Sequence, residues 1–318
     1  MAKTKIFIPE LEKRLLAHVD TLKKIKALSL NRPLACCVSG GMDSMVMLES
    51  CLRHQVPIHV FHFNHRWRGK ASDADADFIR QTCEKWKIPL TMGEACTVGP
   101  TSEGEARDAR WKFFLQSAAE LNIAALCTAH HADDQVETFL LQLLRGAGPE
   151  GLASLTHEKK REGILILRPL LPFTKAELEA VAHHWKLKWK EDKTNKSPKF
   201  FRNRVRLKLM PYLDKISGRI QWPIIQRTCL LLAEENDYWE KLLPDEMPQR
   251  PKVKDLSRQH PAFQRRYLRK WLHSQGIGAP DFEQIEAIRR LLNKDNPAKI
   301  NLSKNRHCRR RAGFLFLE

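Results

Sequence analysis

The sequence predicts an α/β fold: a doubly wound, five-stranded parallel sheet with a mainly helical C-terminal domain that ends in short strands. Three observations lead to this prediction. From about residue 34 onward, short apolar runs alternate with segments of helical periodicity. The apolar runs are rich in β-branched residues and apolar on both sides, which is typical of strands buried between two helix layers. Beyond about residue 216, helical periodicity replaces the alternation.

The predicted strands and helices follow one another in a regular order. Strand-like runs occupy residues 33–38, 56–63, 88–92, 123–128 and 164–167. Helical segments occupy residues 43–53, 73–86, 103–121, 132–145 and 175–185. Gly146 follows the fourth of these helices, at the position where glycine commonly ends a helix. Because ligands of such sheets bind beyond the carboxyl ends of the strands, polar motifs at those ends are candidates for a site.

Length and charge narrow the class of protein. The 318 residues include 55 Lys and Arg against 37 Asp and Glu, a formal net charge of +18. This length predicts two domains, which we place at residues 1–215 and 216–318. A strongly basic protein indicates a polyanionic partner, and residues 186–219 alone carry twelve Lys and Arg.

Two further features concern the compartment in which the protein works. No apolar run approaches the ~18 residues of a membrane span, and the first residues contain no hydrophobic signal core, so we expect a cytoplasmic protein. The eight cysteines contain no C-x-x-C pair, which predicts reduced and mostly buried thiols and gives no indication of a zinc or iron–sulfur site.

A glycine-rich hexapeptide lies between the first strand and the first helix. Its residues are Ser39, Gly40, Gly41, Met42, Asp43 and Ser44. Two glycines let backbone N–H groups approach a phosphate, and the helix N-terminus adds the positive end of its dipole. Asp43 would repel a phosphate unless Mg²⁺ bridged them, so it is the candidate Mg²⁺ ligand. The absence of G-x-x-x-x-G-K-[ST] excludes a Walker loop; a capped glycine turn without function is the alternative.

This hexapeptide resembles the PP-loop of enzymes that cleave ATP between its α and β phosphates to adenylate a substrate. Further motifs narrow the resemblance: HFNHRWR at 62–68, GEARDARW at 104–111, TAHHADDQVET at 128–138, EDKTN at 191–195 and RNRVR at 202–206. In this order they are similar to the tRNA(Ile)-lysidine synthetase family, strongly over residues 34–215 and more weakly over 255–292. The implied fold is the adenine nucleotide α-hydrolase-like one.

The resemblance implies an activity. Members attach free L-lysine to C2 of the wobble cytidine in tRNA(Ile) with a CAU anticodon, using Mg²⁺ and ATP. An adenylated tRNA is the intermediate, pyrophosphate and AMP are released, codon reading changes from AUG to AUA, and charging changes from Met to Ile. The enzyme is thus expected to be a ligase that forms a C–N bond.

The resemblance also implies roles for individual residues. ATP contacts fall on Ser39, Gly40, Gly41, Met42, Asp43, Ser44, Phe63, Thr128, Ala129, His130 and His131. Catalytic roles fall on Asp43, Asp134, Glu137 and Arg204, and Asp43 is in addition the expected Mg²⁺ ligand. Candidate contacts to tRNA or phosphate are Arg107, Arg110, Arg145, Arg202 and Arg206, since the arginine fork matches phosphate.

Several interpretations remain open on the sequence alone. Asp134 and Glu137, three apart on a helix, can face one ligand, and a lysine amine with a pKa near ~10.4 needs carboxylates to hold it and take its proton. Of the two, Asp134 is favoured for orienting the lysine or taking its proton, with Glu137 as its partner. The alternative is that both are acids complementing a helix N-terminus. His62 and His65 with the histidines at 130–131 could form a metal cluster, although contacts to the nucleotide are favoured for the latter two.

Two other functions and one structural question also stay open. tRNA thiolation on the same loop is the alternative enzyme, and a tRNA-binding protein without catalysis is a third possibility. The sequence does not decide whether the protein forms a homodimer, how tRNA(Met) is rejected, or which acid accepts the lysine proton.

Overall fold

A six-stranded sheet organises the first part of the protein in the computed structural model. Its strands are β1 Leu34–Cys37, β2 Ile58–Asn64, β3 Leu90–Glu94, β4 Ala125–Thr128, β5 Glu158–Arg161 and β6 Ile164–Leu167. The spatial order is β3-β2-β1-β4-β6-β5, and every neighbouring pair is parallel except β6 and β5. The predicted five parallel strands are confirmed. The order reverses between β1 and β4, which is where ligands bind in such sheets.

The structure describes residues 7–28, 32–67, 69–96, 102–153, 155–191, 201–278, 280–303 and 306–318. The predicted EDKTN motif therefore lies largely outside the described residues. Among those that are described, no helix is long and apolar enough to cross a membrane.

Strand β5 is an antiparallel edge strand that hydrophobic patterning did not predict. Its four residues are all charged, and they pair with β6 from Glu158 opposite Leu167 to Arg161 opposite Ile164. Glu162 and Gly163 form the turn, both with positive φ, as two-residue hairpin turns require. Charged side chains on an edge strand discourage pairing with other chains, so such a strand carries no apolar signal.

The helices around the sheet are α1 Ile8–Leu28, α2 Met42–Arg53, α3 Lys70–Trp86, α4 Glu103–Glu120, α5 Ala132–Leu144, α6 Pro149–Leu152 and α7 Lys175–His184. Each of the five predicted helices is present. Helices α1 and α6 were not predicted, and α1 contributes Leu11, Leu15 and Val19 to the buried core.

The core lies on both faces of the sheet, as a doubly wound fold requires. Cys36 and Val60 point to the face covered by α1, α2, α3 and α7, whereas the adjacent Ala35 and Phe61 point to the face covered by α4. All eight cysteines are described and none forms a disulfide; six are buried, one is half-buried, and Cys96 is exposed.

The segment after α7 packs along α5. It contains α8 Phe201–Arg204, a π-helical turn Val205–Leu209, and α9 Met210–Ser217. Val205 is buried against Val136, Leu140 and Leu141 of α5. This small apolar cluster places the RNRVR motif beside the polar N-terminal half of α5.

The chain forms two compact units, Met1–Ala233 and Glu234–Glu318. The boundary falls within helix α10 Trp222–Leu242, so it does not decide the division at residues 215 and 216 that the sequence predicts.

The second unit contains α11 Val253–Ser257, α12 Pro261–Ser274, α13 Phe282–Arg290, and the antiparallel strands β7 Lys299–Ser303, β8 Arg306–Arg311 and β9 Phe314–Leu317. Its core includes Leu268, Trp271, Ile288 and Leu315. A helical part followed by short strands is what the sequence predicted, and this is confirmed.

Candidate active site

The glycine-rich hexapeptide forms the turn between β1 and α2, at the switch point of the sheet. Gly40 has φ +89°, a left-handed conformation that a side chain would strain. The Ser44 hydroxyl donates to the Gly41 carbonyl at 2.8 Å and accepts from the Gly40 N–H at 3.2 Å. The hydroxyls thus shape the turn itself. The first N–H groups of α2 have no intrahelical acceptor and are available to an anion.

The loop is braced from two sides. His62 at the end of β2 donates from Nδ1 to the Val38 carbonyl at 2.8 Å, and burial lowers the pKa of this histidine. On the other side, the Lys190 N–H donates to the Gly40 carbonyl at 2.9 Å. His62 therefore supports the loop. Among the described residues, no group of three or more His, Cys, Asp or Glu is arranged to hold a metal ion, so the histidine-cluster interpretation finds no support.

The end of β4 supplies the opposite wall. Thr128 is buried, and its hydroxyl lies 2.9 Å from Nδ1 of His130. Burial lowers the pKa of His130 to about 3, so this side chain is neutral at physiological pH. A neutral, oriented imidazole beside a strand end can bind a nucleotide through hydrogen bonds.

His131 lies at the centre of three carboxylates and joins the two walls. Its Nε2 is 3.8 Å from Asp43 Oδ2 on α2 and 3.4 Å from Asp134 Oδ2 on α5, and its Nδ1 is 3.4 Å from Asp133 Oδ2. The His131 side chain is 2% exposed. A residue that the sequence places far from the hexapeptide thus reaches the acid in the first turn of α2.

The acids of this cluster differ in the direction in which their pKa is shifted. Burial raises the pKa of Asp43, and the nearby His131 offsets only part of that rise. Burial alone would raise the pKa of Asp134, but the charges of His131 and Arg202 hold it below its usual value. For His131 itself, burial opposes protonation, but Asp133 and the other two acids raise its pKa. Asp134 is therefore ionised at neutral pH.

Asp43 has the features of a metal-binding carboxylate. Its Oδ1 is buried and has no hydrogen-bond partner in the described part of the chain. A buried carboxylate oxygen without a partner is costly unless a ligand satisfies it. Mg²⁺ prefers oxygen ligands and is commonly held by one or two carboxylates plus substrate phosphates, so Asp43 fits this ion.

Glu137 is held by two arginines of the RNRVR motif. Arg206 donates from Nε to Oε1 at 2.5 Å and from Nη2 to Oε2 at 3.0 Å, a two-pronged pairing. Arg202 donates from Nε to Glu137 Oε2 at 2.9 Å and from Nη2 to Asp134 Oδ1 at 3.0 Å. The Glu137 side chain is only 3% exposed, so its oxygens are fully engaged. Asp134 is engaged as well, because Oδ1 accepts from Arg202 and Oδ2 accepts from the His131 N–H at 3.1 Å, but its side chain is 15% exposed and thus the more accessible of the two acids.

The structure does not bring all the predicted site residues together. Arg204 is exposed, and its guanidinium lies over the Phe201 ring at 5.4 Å from the centroid, away from the acids that Arg202 and Arg206 bind. Arg107 and Arg145 are exposed, and Arg110 is half-buried on the same helix as Arg107. Phe63 is half-buried on the face of the sheet opposite α2, among the rings of Phe113 and His65.

Two residues at this edge had no role assigned from the sequence. The Lys175 N–H at the start of α7 donates to Asp133 Oδ2 at 2.8 Å, and the Lys175 charge lowers the pKa of Asp43. The available signal was the Thr174–Glu177 capping box, which marks this helix start. Arg168 is 6% exposed and donates to the Thr156 carbonyl. Its burial lowers its pKa to about 10.

A glycine turn at the switch point, an acid in the next helical turn and a histidine–acid cluster across the crevice define an ATP-using enzyme of the PP-loop class. In agreement, the family model described as PP-loop domain matches residues 13–213. The family model described as TilS substrate binding domain matches residues 252–316.

Curated relatives are similar over most of the chain. A tRNA(Ile)-lysidine synthase from Thermosynechococcus vestitus is 33% identical over 301 residues, which are 91% of this chain and 87% of the relative. One from Gloeobacter violaceus is 36% identical over 281 residues, 84% of this chain and 85% of the relative. The chain belongs to the tRNA(Ile)-lysidine synthase family, a family of ligase-type PP-loop enzymes.

One solved structure shares the fold. The U34-tRNA thiolase NcsA from Methanococcus maripaludis, with its 4Fe-4S cluster, matches with a TM-score of 0.56 at 17% identity, covering 70% of this chain and 79% of that one. At this identity the likeness concerns the fold alone.

Proposed function

We propose that this chain attaches free L-lysine, through its ε-amine, to C2 of the wobble cytidine in tRNA(Ile) with a CAU anticodon. The C2 oxygen of the cytidine attacks the α-phosphorus of ATP and releases pyrophosphate. Lysine then displaces AMP from the adenylated tRNA. The observation that carries this proposal is the meeting of the PP-loop, Asp43 and Asp134 across one crevice, in a chain of this family.

The PP-loop is proposed to hold the phosphates of ATP. Its hydroxyl groups already fold the turn, so the free N–H groups of the loop and of the first turn of α2 face the anion. On the opposite wall, the neutral His130 and the end of β4 are proposed to contact the adenosine, which the hydrogen bond between Thr128 and His130 supports by orienting the imidazole.

Asp43 is proposed to hold Mg²⁺ together with phosphate oxygens of ATP. The ion, when bound, neutralises charge on the phosphates as pyrophosphate leaves. The partnerless Oδ1 of Asp43 supports this role. Lys175, whose charge acts on Asp43, is placed to stabilise the same phosphates.

Asp134 is proposed to hold the lysine ammonium, and Glu137 to hold the arginines. Asp134 stays ionised because His131 and Arg202 lower its pKa, so it offers a negative charge to a cation. Glu137 has both oxygens occupied by Arg202 and Arg206 and is nearly inaccessible. The two acids therefore have different roles in this proposal: Asp134, the more exposed of the two, contacts substrate, and Glu137 is a positioning residue.

The cysteines favour lysine ligation over sulfur transfer. Cys36 and Cys51 lie with their sulfurs 3.9 Å apart in the core, and Cys127 pairs with Cys36 across the sheet. All three are buried. Sulfur carriers and cluster ligands need accessible thiolates, whereas the hydrogen bond with Cys127, together with burial, raises the pKa of the Cys36 thiol.

The test is incorporation of carbon-14 lysine into a tRNA(Ile) transcript with ATP and Mg²⁺. We expect label in the RNA, with AMP and pyrophosphate formed in equal amounts. A transcript with uridine at the wobble position is the matched control and should stay unlabelled. Production of ADP, or modification of the RNA only when a sulfur donor is added, would overturn the proposal.

Asp43→Ala sharpens this test. We expect pyrophosphate release to be lost while affinity for tRNA stays nearly unchanged, because Asp43 acts on the ATP. Release at the normal rate would remove Asp43 from the metal-binding role.

A further inference from the structure

The second unit contains a pocket of about 390 Å³ that the proposed reaction does not use. Six side chains give it its chemistry: Arg250, Lys252, Asp255, Gln259, Phe263 and Tyr267. This volume lies in the range of pockets that bind small molecules, ~300–1,000 Å³, and is too small for a double helix. The question is which ligand these groups fit.

One wall of the pocket is aromatic. Phe263 and Tyr267 lie one turn apart on α12, with ring centroids 6.0 Å apart and planes inclined by 34°. Tyr267 is 8% exposed and Phe263 is half-buried, so both rings are fixed by the core behind them. Rigid aromatic faces of this kind stack on unpaired bases of any sequence.

The adjoining side is positively charged. The Arg250 guanidinium lies over the Phe316 ring, 4.8 Å from its centroid, which fixes the plane and leaves its N–H edges open. Neither Arg250 nor Lys252 forms an ion pair with any residue that the structure describes. Residues 250–258 carry four basic side chains and one acidic one. Such an arrangement attracts a phosphate.

The remaining two groups are polar and exposed. The carboxylate of Asp255 only accepts hydrogen bonds, whereas the amide of Gln259 both donates and accepts. Both side chains are exposed, without a side-chain partner in the described parts of the chain. They can therefore pair with the N–H groups and carbonyls on the edge of a base.

We propose that this pocket binds one unpaired nucleotide of the RNA substrate, with the base against Phe263 and Tyr267 and the phosphate against Arg250 and Lys252. The inference rests on the proposed function, since it takes tRNA(Ile) to be that RNA. One cavity is thus lined by aromatic rings that can stack on a base, by basic groups that can bind a phosphate, and by polar groups that can pair with a base edge. Proteins that recognise single-stranded RNA use this combination.

The first experiment measures affinity of the full chain for a tRNA(Ile) transcript across salt concentrations. Arg250→Gln is compared with Arg258→Gln, an exposed arginine of the same segment that does not line the pocket. Loss of one phosphate contact should lower the slope of log K against log salt by about 0.7–0.9 for Arg250→Gln only. Equal effects of the two variants would assign the binding to diffuse surface charge and overturn the proposal.

The second experiment removes stacking. Phe263→Leu keeps an apolar side chain against the core and should weaken tRNA binding roughly fivefold or more at an unchanged melting temperature. Gln259→Ala, at an exposed position, tests the pocket without risk to folding and should also weaken binding. Wild-type affinity in both variants would contradict the proposal, as would a changed oligomeric state with unchanged RNA affinity, which indicates a protein occupant.

Failure of the pocket and failure of the proposed function are distinguishable. If the wild-type chain ligates lysine while Arg250→Gln and Phe263→Leu keep its KM for tRNA, the pocket proposal fails alone. If the wild-type chain incorporates no lysine but both variants weaken tRNA binding, the pocket stands and the ligase function fails.

Discussion

Two glutamates of this protein are each held by two arginines, one in each unit. Glu137 binds two arginines of the RNRVR motif, and Glu286 on α13 binds Arg265 and Arg289. The pairs use the same chemistry at similar distances. They differ in burial, because the Glu137 side chain is 3% exposed and that of Glu286 is 14% exposed. They differ further in location. Glu137 lies at the carboxyl edge of a parallel sheet, whereas Glu286 lies on a helix of the second unit.

The comparison shows that a paired acid does not by itself define a site. Arg202 extends from Glu137 to Asp134, which in turn contacts His131 and through it Asp43. The Arg265–Glu286 pair connects α12 to α13, whereas the Arg289–Glu286 pair lies within α13. Position at the switch point of the sheet, rather than the ion pair, makes the first cluster a candidate for catalysis.

The largest difference between the two clusters should appear on neutralising the buried acid. Glu137→Gln leaves two arginines without their anion and should cost about 3 kcal/mol of unfolding free energy, at the low end of the range for buried pairs because both arginines are partly exposed. Lysine ligation should fall with it, since Arg202 and Arg206 lose their position. Urea unfolding and lysine incorporation measure the two effects. A cost below ~1 kcal/mol would place Glu137 in the same class as Glu286.

The next largest effect is expected at Asp134, a second acid beside Glu137. Asp134→Asn should slow lysine transfer about thirtyfold or more, corresponding to ~2 kcal/mol of lost charge interaction, and adenylated tRNA should accumulate. Asp245→Asn, at an exposed position outside the cluster, is the control and should keep full activity. Gel analysis of the adenylated intermediate distinguishes the two steps. Equal loss in both variants would argue against a specific ammonium contact.

A smaller effect is expected at Arg204, the exposed arginine that lies between Arg202 and Arg206 in the sequence. The sequence predicts that Arg204 touches the reaction centre, so Arg204→Gln should lower activity about tenfold. Its stability should stay within ~0.5 kcal/mol of wild type, because the side chain is exposed. Steady-state kinetics with a melting curve give both numbers. Wild-type activity here, together with a severe defect in Arg202→Gln, would transfer that role to Arg202.

The smallest effect is expected in the second unit. Hydrogen bonds from Arg289 and Arg265 lower the pKa of Glu286 to about 2. A lowered pKa contributes stability above the ordinary value near ~4.5 and loses it as the pH falls towards 2. Glu286→Gln should therefore cost less than ~1 kcal/mol at pH 7, and the difference from wild type should shrink between pH 4.5 and 2. Unfolding curves at pH 7, 4.5 and 3 test this, and a difference independent of pH would exclude the ion pair as its cause.

The periodicity of hydrophobic residues in the sequence predicted most of the fold. The five parallel strands and their covering helices came from alternation of two-sided apolar runs and amphipathic segments, which depends only on local sequence. Strand β5 was missed because Glu158–Arg161 is charged throughout and pairs only at an edge. Helix α1 was missed although Leu11 and Leu15 are buried, because nothing in the local pattern ties it to the sheet. The cytoplasmic location remains a prediction.

The sequence alone determined the residue types of the site: the glycine turn, Asp43 and the acids of α5, since motifs are local and their chemistry belongs to the side chains. Only the tertiary structure decided which of them meet. It joined Asp43 to His131 across the switch point, engaged both oxygens of Glu137 with arginines, and left Asp134 the more exposed of the two acids. Contacts between residues distant in the chain depend on the packing of whole strands and helices, which no local pattern specifies.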